Sequence, residues 1–332
     1  VDWVKPYTTI TRKGVHIGII GAIGQGLTGD ILSKNVRDLN FADPTSYVKK
    51  YSTELRNKGA DIILLLIHDS VENISDSCAK SIDLAFTAHT HTGENEKIDN
   101  GRVPAIQAYS NGKDVGHINL TYDFNTKKVN NSSGEIVDTR NISSSYSVDS
   151  GTKAIYDKYL EEEILEITTP VYGYSKTAIR ATAIPQLYNK YAYQYYLDNH
   201  DPTDSKNIYF VETNNARGDI VSGDITYGSI FKALPFDNYL TLCEVSQSVI
   251  RNDLSTYSSA HFYIPETGIT CDGSEIRFYI PEAAKVNVLM IDYIAWNTKY
   301  DGKINIVEEF TEDGALPRNI FASYVGTDFP KH

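Results

Sequence analysis

The sequence is poor in the residues that most often advertise a chemistry. Among 332 residues there are three cysteines, one methionine and two tryptophans. Cys78, Cys243 and Cys271 lie far apart and form no CxxC pair. That excludes a zinc-finger pattern and a disulfide framework, and leaves room for one bridge at most. No run of about 18 apolar residues is present, so no segment reads as a membrane-spanning helix. Lys and Arg number 31 against 43 Asp and Glu, a formal net charge of −12. Such a balance excludes a general nucleic-acid binder, which needs a basic face against the phosphate backbone. A small phosphorylated ligand is still compatible with it, if a metal or a few arginines supply positive charge locally. The chain opens at Val1 without an initiator methionine or a signal-peptide pattern, which reads as a processing site or a cut in a longer protein. No internal repeat is found.

What is present is globular in kind: 41% hydrophobic and 22% charged residues, with 24 tyrosines. At about 150 residues per domain the length predicts two domains. Residues 1–145 alternate apolar, β-rich runs with helical patterns. Val15–Ile23 and 61–67 read as buried strands, and 82–88 as a third. Asp43-Pro44 signals a helix start, with Tyr47, Val48, Tyr51 and Leu55 at helical spacing and Gly59 as its stop. Two further strands fall near 104–109 and 116–124. Composition turns polar over 125–150, and the spacing predicts an amphipathic helix over 153–165. Residues 146–169 are therefore read as linker and hinge helix, and 170–332 as a second domain. That domain holds a tyrosine-rich helix over 185–197, a strand at 208–211 and a helix near 227–234.

Gly24-Gln25-Gly26-Leu27-Thr28-Gly29 fits G-x-G-x-x-G after a strand. The stretch behind it has weak helical periodicity and breaks at Pro44, so no helix N-terminus is predicted to meet a pyrophosphate. It reads as a loop. The histidines are more informative. His68, His89 and His91 each follow the C-terminal end of an apolar run, where the strands of an α/β sheet converge on a ligand crevice. On an extended segment, His89-Thr90-His91 would aim both imidazoles to one side. Imidazole suits zinc, manganese or iron, and metal-bound water is the usual hydrolytic nucleophile.

Leu64–Ser70 (LLLIHDS) and Thr87–Glu94 (TAHTHTGE) resemble the later histidine motifs of calcineurin-like metallophosphatases. Val103–Asp123 is similar to the strand pair that follows them in 5′-nucleotidases, and Asn214–Asn238 (NNARGDIVSGDITYGSIFKALPFDN) resembles the signature of the 5′-nucleotidase C-terminal domain. The resemblance implies an α/β (α+β) fold: part of a metallophosphatase αββα sandwich, then a second α/β nucleotide-binding domain. It implies two divalent metal ions, zinc, manganese or similar, with His68, His89 and His91 as ligands. It further assigns Arg217 and Asn214 to the substrate phosphate, and Phe236 and Tyr293 to a pair of rings around the nucleobase. Asn238 and Asp301 complete the substrate set. Relatives also carry Asp-x-His, Gly-Asp and Gly-Asn-His-Asp motifs before the strand that here begins at Val15. No counterpart precedes that strand in this chain, so the catalytic His/Asp pair and the bridging carboxylate are expected in a missing N-terminal part of the same protein. The metal site is expected to be incomplete and this chain alone inactive.

The resemblance thus implies metal-dependent hydrolysis of nucleoside 5′-monophosphates by a full-length protein that is extracellular, at the cell surface or periplasmic. A 2′,3′-cyclic-nucleotide phosphodiesterase is the alternative within the same chemistry. A non-catalytic nucleotide-binding surface module is the alternative outside it.

Overall fold

The computed structural model describes residues 4–141, 146–199, 208–256, 262–265, 269–272, 275–278, 285–296 and 302–331. Two compact units divide the chain: residues 1–30 with 36–148, and residues 31–35 with 149–332.

The first unit is organised by strands β1 (Tyr7–Arg12), β2 (Val15–Ile23), β3 (Ile62–His68), β4 (Leu84–Phe86), β5 (Glu94–Ile98) and β6 (Val103–Gln107). They form one sheet in the order β1-β2-β3-β4-β6-β5. The four central strands run parallel, with antiparallel β1 and β5 at the edges. The Ile62–His68 segment is a nearly unbroken apolar run, as parallel strands commonly are, but Ile63, Leu65 and Ile67 are buried while Leu66 on the other face is 44% exposed. Between β2 and β3 lie a 3₁₀ turn over Gln25–Asp30, a short helix α1 (Ser33–Val36) and helix α2 (Thr45–Asn57).

The predicted Asp43-Pro44 start is shifted by one residue. Pro44 takes the capping position, and the Asp43 carboxylate accepts the Thr45 N–H at 2.8 Å. Helix α2 buries Val48, Ser52 and Leu55, and Leu55 presses on Gly18 so closely that a Cβ there would sit 2.8 Å from its Cδ1. A glycine at that point lets the helix lie on the sheet. After helix α3 (Asp76–Ala79), a long hairpin of β7 (Asp114–Asp123) and β8 (Lys128–Asp138) packs against Ile106 of β6. The glycine-rich loop predicted after β2 is instead the 3₁₀ turn. The four-residue α1 confirms that no long helix stands ready for a phosphate.

The second unit begins its 149–332 portion with helix α4 (Ser150–Tyr159), capped by Asp149. A π-helical stretch over Leu160–Ile164 and helix α5 (Leu165–Thr168) follow. None of their residues is buried, so the apolar side predicted for this helix is uncovered among the described residues. Strand β9 (Val171–Ser175), helix α6 (Ile184–Asn199), β10 (Ile208–Glu212), β11 (Gly223–Thr226), α7 (Tyr227–Ala233), β12 (Leu240–Ser246) and α8 (Gln247–Thr256) come next. Then follow β13 (Phe262–Tyr263), β14 (Ile269–Asp272), β15 (Glu275–Phe278), β16 (Lys285–Ile291), α9 (Asp292–Ala295), β17 (Ile304–Phe310) and α10 (Pro317–Asp328). The main sheet has the order β13-β10-β16-β12-β17, with β10 and β16 parallel and the remaining pairs antiparallel.

The tyrosines have a structural account. Tyr191 meets Phe321 edge to face at 5.3 Å and donates its hydroxyl to Asp328 at 2.9 Å, while Tyr195 donates to Glu312 at 2.6 Å. Each ring joins the core and each hydroxyl finds a carboxylate at the rim, as an amphipathic aromatic requires. Lys190 on the same helix is engaged by both oxygens of Asp328 at 2.8 Å. Cys78 and Cys243 are buried free thiols. Burial pushes the first up to about 11 and the second to about 12, which keeps both protonated at neutral pH.

Candidate functional site

In the first unit the parallel strands β2, β3 and β4 deliver Gly24, His68-Asp69 and Thr87–His91 to one end of the sheet. Gly24 is required there: a Cβ would fall 1.9 Å from the Asp69 Oδ2. Asp69 is buried, accepts from Ser70 N at 2.8 Å and Asn73 Nδ2 at 2.7 Å, and its carbonyl accepts the Ala88 N–H at 3.1 Å. Buried Gln107 accepts the His91 N–H at 3.2 Å and donates to Thr90 Oγ1 at 2.8 Å. Glu94 accepts from Val71 N at 3.1 Å and from Thr90 and Thr92 at 3.3 and 3.2 Å. The histidine-bearing loop is thus held by its polar neighbours.

That loop is not extended. His89 and His91 have φ of +84° and +58°, so the period-two argument for both imidazoles does not apply. The structure instead pairs His89 with His68, ring centroids 5.2 Å apart and steeply inclined. Asp30 adds a carboxylate 3.5 Å from His89 Nε2. His91 is exposed, and among the described residues no group of three or more His, Cys, Asp or Glu is placed to hold a metal ion. Two imidazoles and one exposed carboxylate leave the mutual repulsion of two nearby cations uncompensated. The described residues therefore do not make up a dinuclear centre.

In the second unit the topology gathers five of the expected substrate residues. Parallel β10 and β16, with antiparallel β12 between β16 and β17, bring the C-terminal ends of β10 and β16 to the same sheet end as the start of β12. Asn214 and Arg217 follow β10, Phe236 and Asn238 precede β12, and Tyr293 follows β16. Locally, Thr226 caps α7 by accepting the Ser229 N–H at 3.2 Å, and the Arg217 N–H donates to Ala233 O at 2.8 Å. The turn carrying Arg217 is thereby fastened to the end of α7.

Phe236 is 51% exposed, and the Arg217 guanidinium lies over its ring at 4.9 Å. Asn238 Nδ2 donates to Asp292 Oδ1 at 2.9 Å, which ties the Phe236 segment to the residue before Tyr293. Tyr293 is half-buried against the core, Asn214 is exposed, and Asp301 lies outside the described residues.

Sequence reasoning missed the support beneath this arrangement. Asp292 is 1% exposed and its Oδ2 lies 3.3 Å from Lys34 Nζ, which also reaches Glu309 at 2.8 Å. Ser33 Oγ donates to the Trp296 carbonyl, and Trp296 Nε1 donates to Glu309 at 2.8 Å. Residues 31–35 therefore belong to this unit although they are distant in sequence. No local pattern could have announced them.

Partial burial pushes Glu309 up, but hydrogen bonds from Lys34 and Trp296 outweigh it and hold the carboxylate below its ordinary value. A depressed carboxylate stabilises the fold above its unfolded value of about 4.3 and loses that contribution as pH falls through the native value. Acid titration of Trp296 fluorescence, with Trp3 replaced by phenylalanine, is expected to show a transition below about pH 4.3 that Glu309→Gln removes. A profile unchanged by Glu309→Gln would refute the assignment.

Residues 167–310 match the family model described as 5′-nucleotidase, C-terminal domain. Endonuclease YhcR of Bacillus subtilis (strain 168) is 26% identical over 276 residues, 78% of this chain and 22% of that protein. Snake venom 5′-nucleotidase of Naja atra is 27% identical over 205 residues, 55% of this chain and 36% of its own length. The chain thus spans about a fifth to a third of the length of these curated relatives. Among solved structures, the 5′-nucleotidase precursor of Thermus thermophilus superposes with a TM-score of 0.68 at 18% identity, covering 98% of this chain and 72% of that one. At that identity the likeness concerns the fold, and it extends over both units.

Proposed function

Because residues 167–310 belong to the 5′-nucleotidase C-terminal domain family, we propose that the second unit binds a nucleotide. In this reading Phe236 and Tyr293 flank the base, Arg217 and Asn214 take the phosphate, and Asn238 holds the slot together. The observation that carries the reading is the meeting of Arg217, Phe236 and the Asn238–Asp292 pair at one end of the main sheet. A guanidinium is always charged and planar, and so suits a phosphate. A half-exposed ring is a stacking platform that tolerates any base. Asp301 is kept as a further substrate contact, and residues 146–169 as the hinge region.

The activity of a longer protein containing this chain is proposed to be metal-dependent hydrolysis of nucleoside 5′-monophosphates outside the cell. Similarity to a venom 5′-nucleotidase supports both parts. His68, His89 and His91 would contribute ligands to divalent metals completed by carboxylates from elsewhere in that protein. A second reading, phosphodiester hydrolysis, is favoured by similarity to a protein named as an endonuclease over 78% of the chain. The charge of −12 speaks for a small diester such as a 2′,3′-cyclic nucleotide rather than a polymer. Relative rates on AMP and 2′,3′-cyclic AMP, measured on the longer protein, separate the two.

For the binding reading this chain suffices. Titration calorimetry with AMP and adenosine is expected to find both bound, and Arg217→Ala to weaken AMP about tenfold, the low end for a hydrogen bond to a charged group at an exposed site. Adenosine, which has no phosphate, should hold or tighten. Equal losses for the two ligands would remove Arg217 from the phosphate, and absence of binding by either would end the proposal.

A further inference from the structure

Arg318 stands in the first turn of α10, eight residues beyond the end of the family match at 310. A cation is poorly placed near the positive end of a helix dipole, so its side chain calls for an account in terms of what it touches. It is only 12% exposed and makes four contacts. Nη2 meets Asp237 Oδ1 at 2.5 Å, Nη1 donates to the Phe236 carbonyl at 3.4 Å, and Nε donates to the Tyr227 hydroxyl at 3.2 Å. The guanidinium also covers the Phe231 ring at 5.0 Å. The Tyr227 hydroxyl donates its hydrogen bond to Asn319 Oδ1 at 2.5 Å, so the acceptor it offers to Arg318 is fixed in direction.

Every partner lies on α7 or on the short turn between α7 and β12. That turn carries Phe236, whose ring is half-exposed with the Arg217 guanidinium over one face. The fork of Arg318 grips the backbone of Phe236 and the side chain of the next residue, and braces both against α7. A lysine could not make these contacts at once, because its point charge lacks the planar, multi-donor geometry.

We propose that Arg318 is a positioning residue of the nucleoside slot, acting through Phe236 and touching no ligand itself. The inference rests on the binding reading above, and adenosine, which lacks a phosphate, is the probe that isolates it. In calorimetric titration of this chain with adenosine, Arg318→Gln is expected to weaken binding about fivefold, and Arg318→Lys to restore little of the loss. Phe236→Ala should weaken it more, and the double variant should be no weaker than Phe236→Ala alone, since the arginine then has nothing to position. Thermal unfolding identifies any variant that has lost its fold. Should Arg318→Gln do so, Asp237→Ala removes the exposed partner of the same fork and is expected to weaken adenosine in the same direction.

Wild-type affinity in Arg318→Gln, or losses from Arg318→Gln and Phe236→Ala that add in full, would overturn the proposal. In the Asp237→Ala arm, unchanged affinity would do the same. If adenosine does not bind the unaltered chain, or binds Phe236→Ala equally well, the binding reading itself fails and takes this inference with it.

Discussion

Replacing Asp292 with alanine is expected to cost the second unit about 3 kcal/mol and to loosen the proposed nucleoside slot in the same stroke. The carboxylate is 1% exposed and satisfies two partners at once, Asn238 at 2.9 Å and Lys34 at 3.3 Å. Its backbone N–H is also spoken for, donating to the Tyr239 carbonyl at 2.8 Å. Removing one member of a buried ion pair commonly costs about 3–5 kcal/mol, because the charge left behind has lost both water and counter-ion. The low end applies here, since Lys34 keeps Glu309 at 2.8 Å and is itself 23% exposed. Asp292→Asn preserves the volume and one acceptor for Asn238, and should lose about half as much. Urea unfolding followed by Trp296 fluorescence measures this, read as a fall in midpoint at constant slope. A shift worth less than about 1 kcal/mol would mean that the pair is solvated and contributes as little as an exposed one.

Phe236→Ala is expected to show the opposite division between folding and binding. A ring that is 51% exposed has little burial to lose, so stability should change by no more than about 0.5 kcal/mol. A base stacked on that ring would lose about 1–3 kcal/mol, a fall in adenosine affinity of roughly 5- to 150-fold. Phe321 marks the contrast: it is fully buried against Tyr191, where an aromatic serves the core. Arg217 already lies over one face of Phe236. A bound base must therefore use the other face or displace the guanidinium towards the phosphate, and AMP supplies the anion that would favour displacement. A large stability loss with unchanged adenosine affinity would return Phe236 to ordinary packing.

How far these residues were legible differs from one to the next. The strand Val15–Ile23 was readable to its ends because its β-rich run, broken by His16, is a local pattern, although only Gly18 and Ile20 of it are buried. The 227–234 helix carries its own start, Thr226, whose hydroxyl caps α7. The signature over Asn214–Asn238 placed Arg217 and Phe236 within one segment, and the fold then set one over the other. By contrast, the His-x-His segment was misread as extended. The backbone is left-handed at His89 and His91, and the His91 N–H donates to Gln107 Oε1 on β6, a partner 16 residues away that the His-x-His pattern does not contain. Nothing near Asp292 points to Asn238, 54 residues earlier, and nothing near Lys34 points to Glu309.

By itself, the sequence determined the mixed α/β class, the likeness to 5′-nucleotidases and the segments that carry the proposed ligand-binding residues. Each of these is written in short-range periodicity or in contiguous motifs. Tertiary structure alone decided which side chains meet: His68 with His89, Asn238 with Asp292 and Lys34, and Arg318 with the Phe236 turn. Pairings of that kind depend on strand order and on which buried charge finds a partner within about 3 Å, where an unpaired group would cost several kcal/mol. Such selection operates across the whole folded unit, and a linear pattern does not contain it.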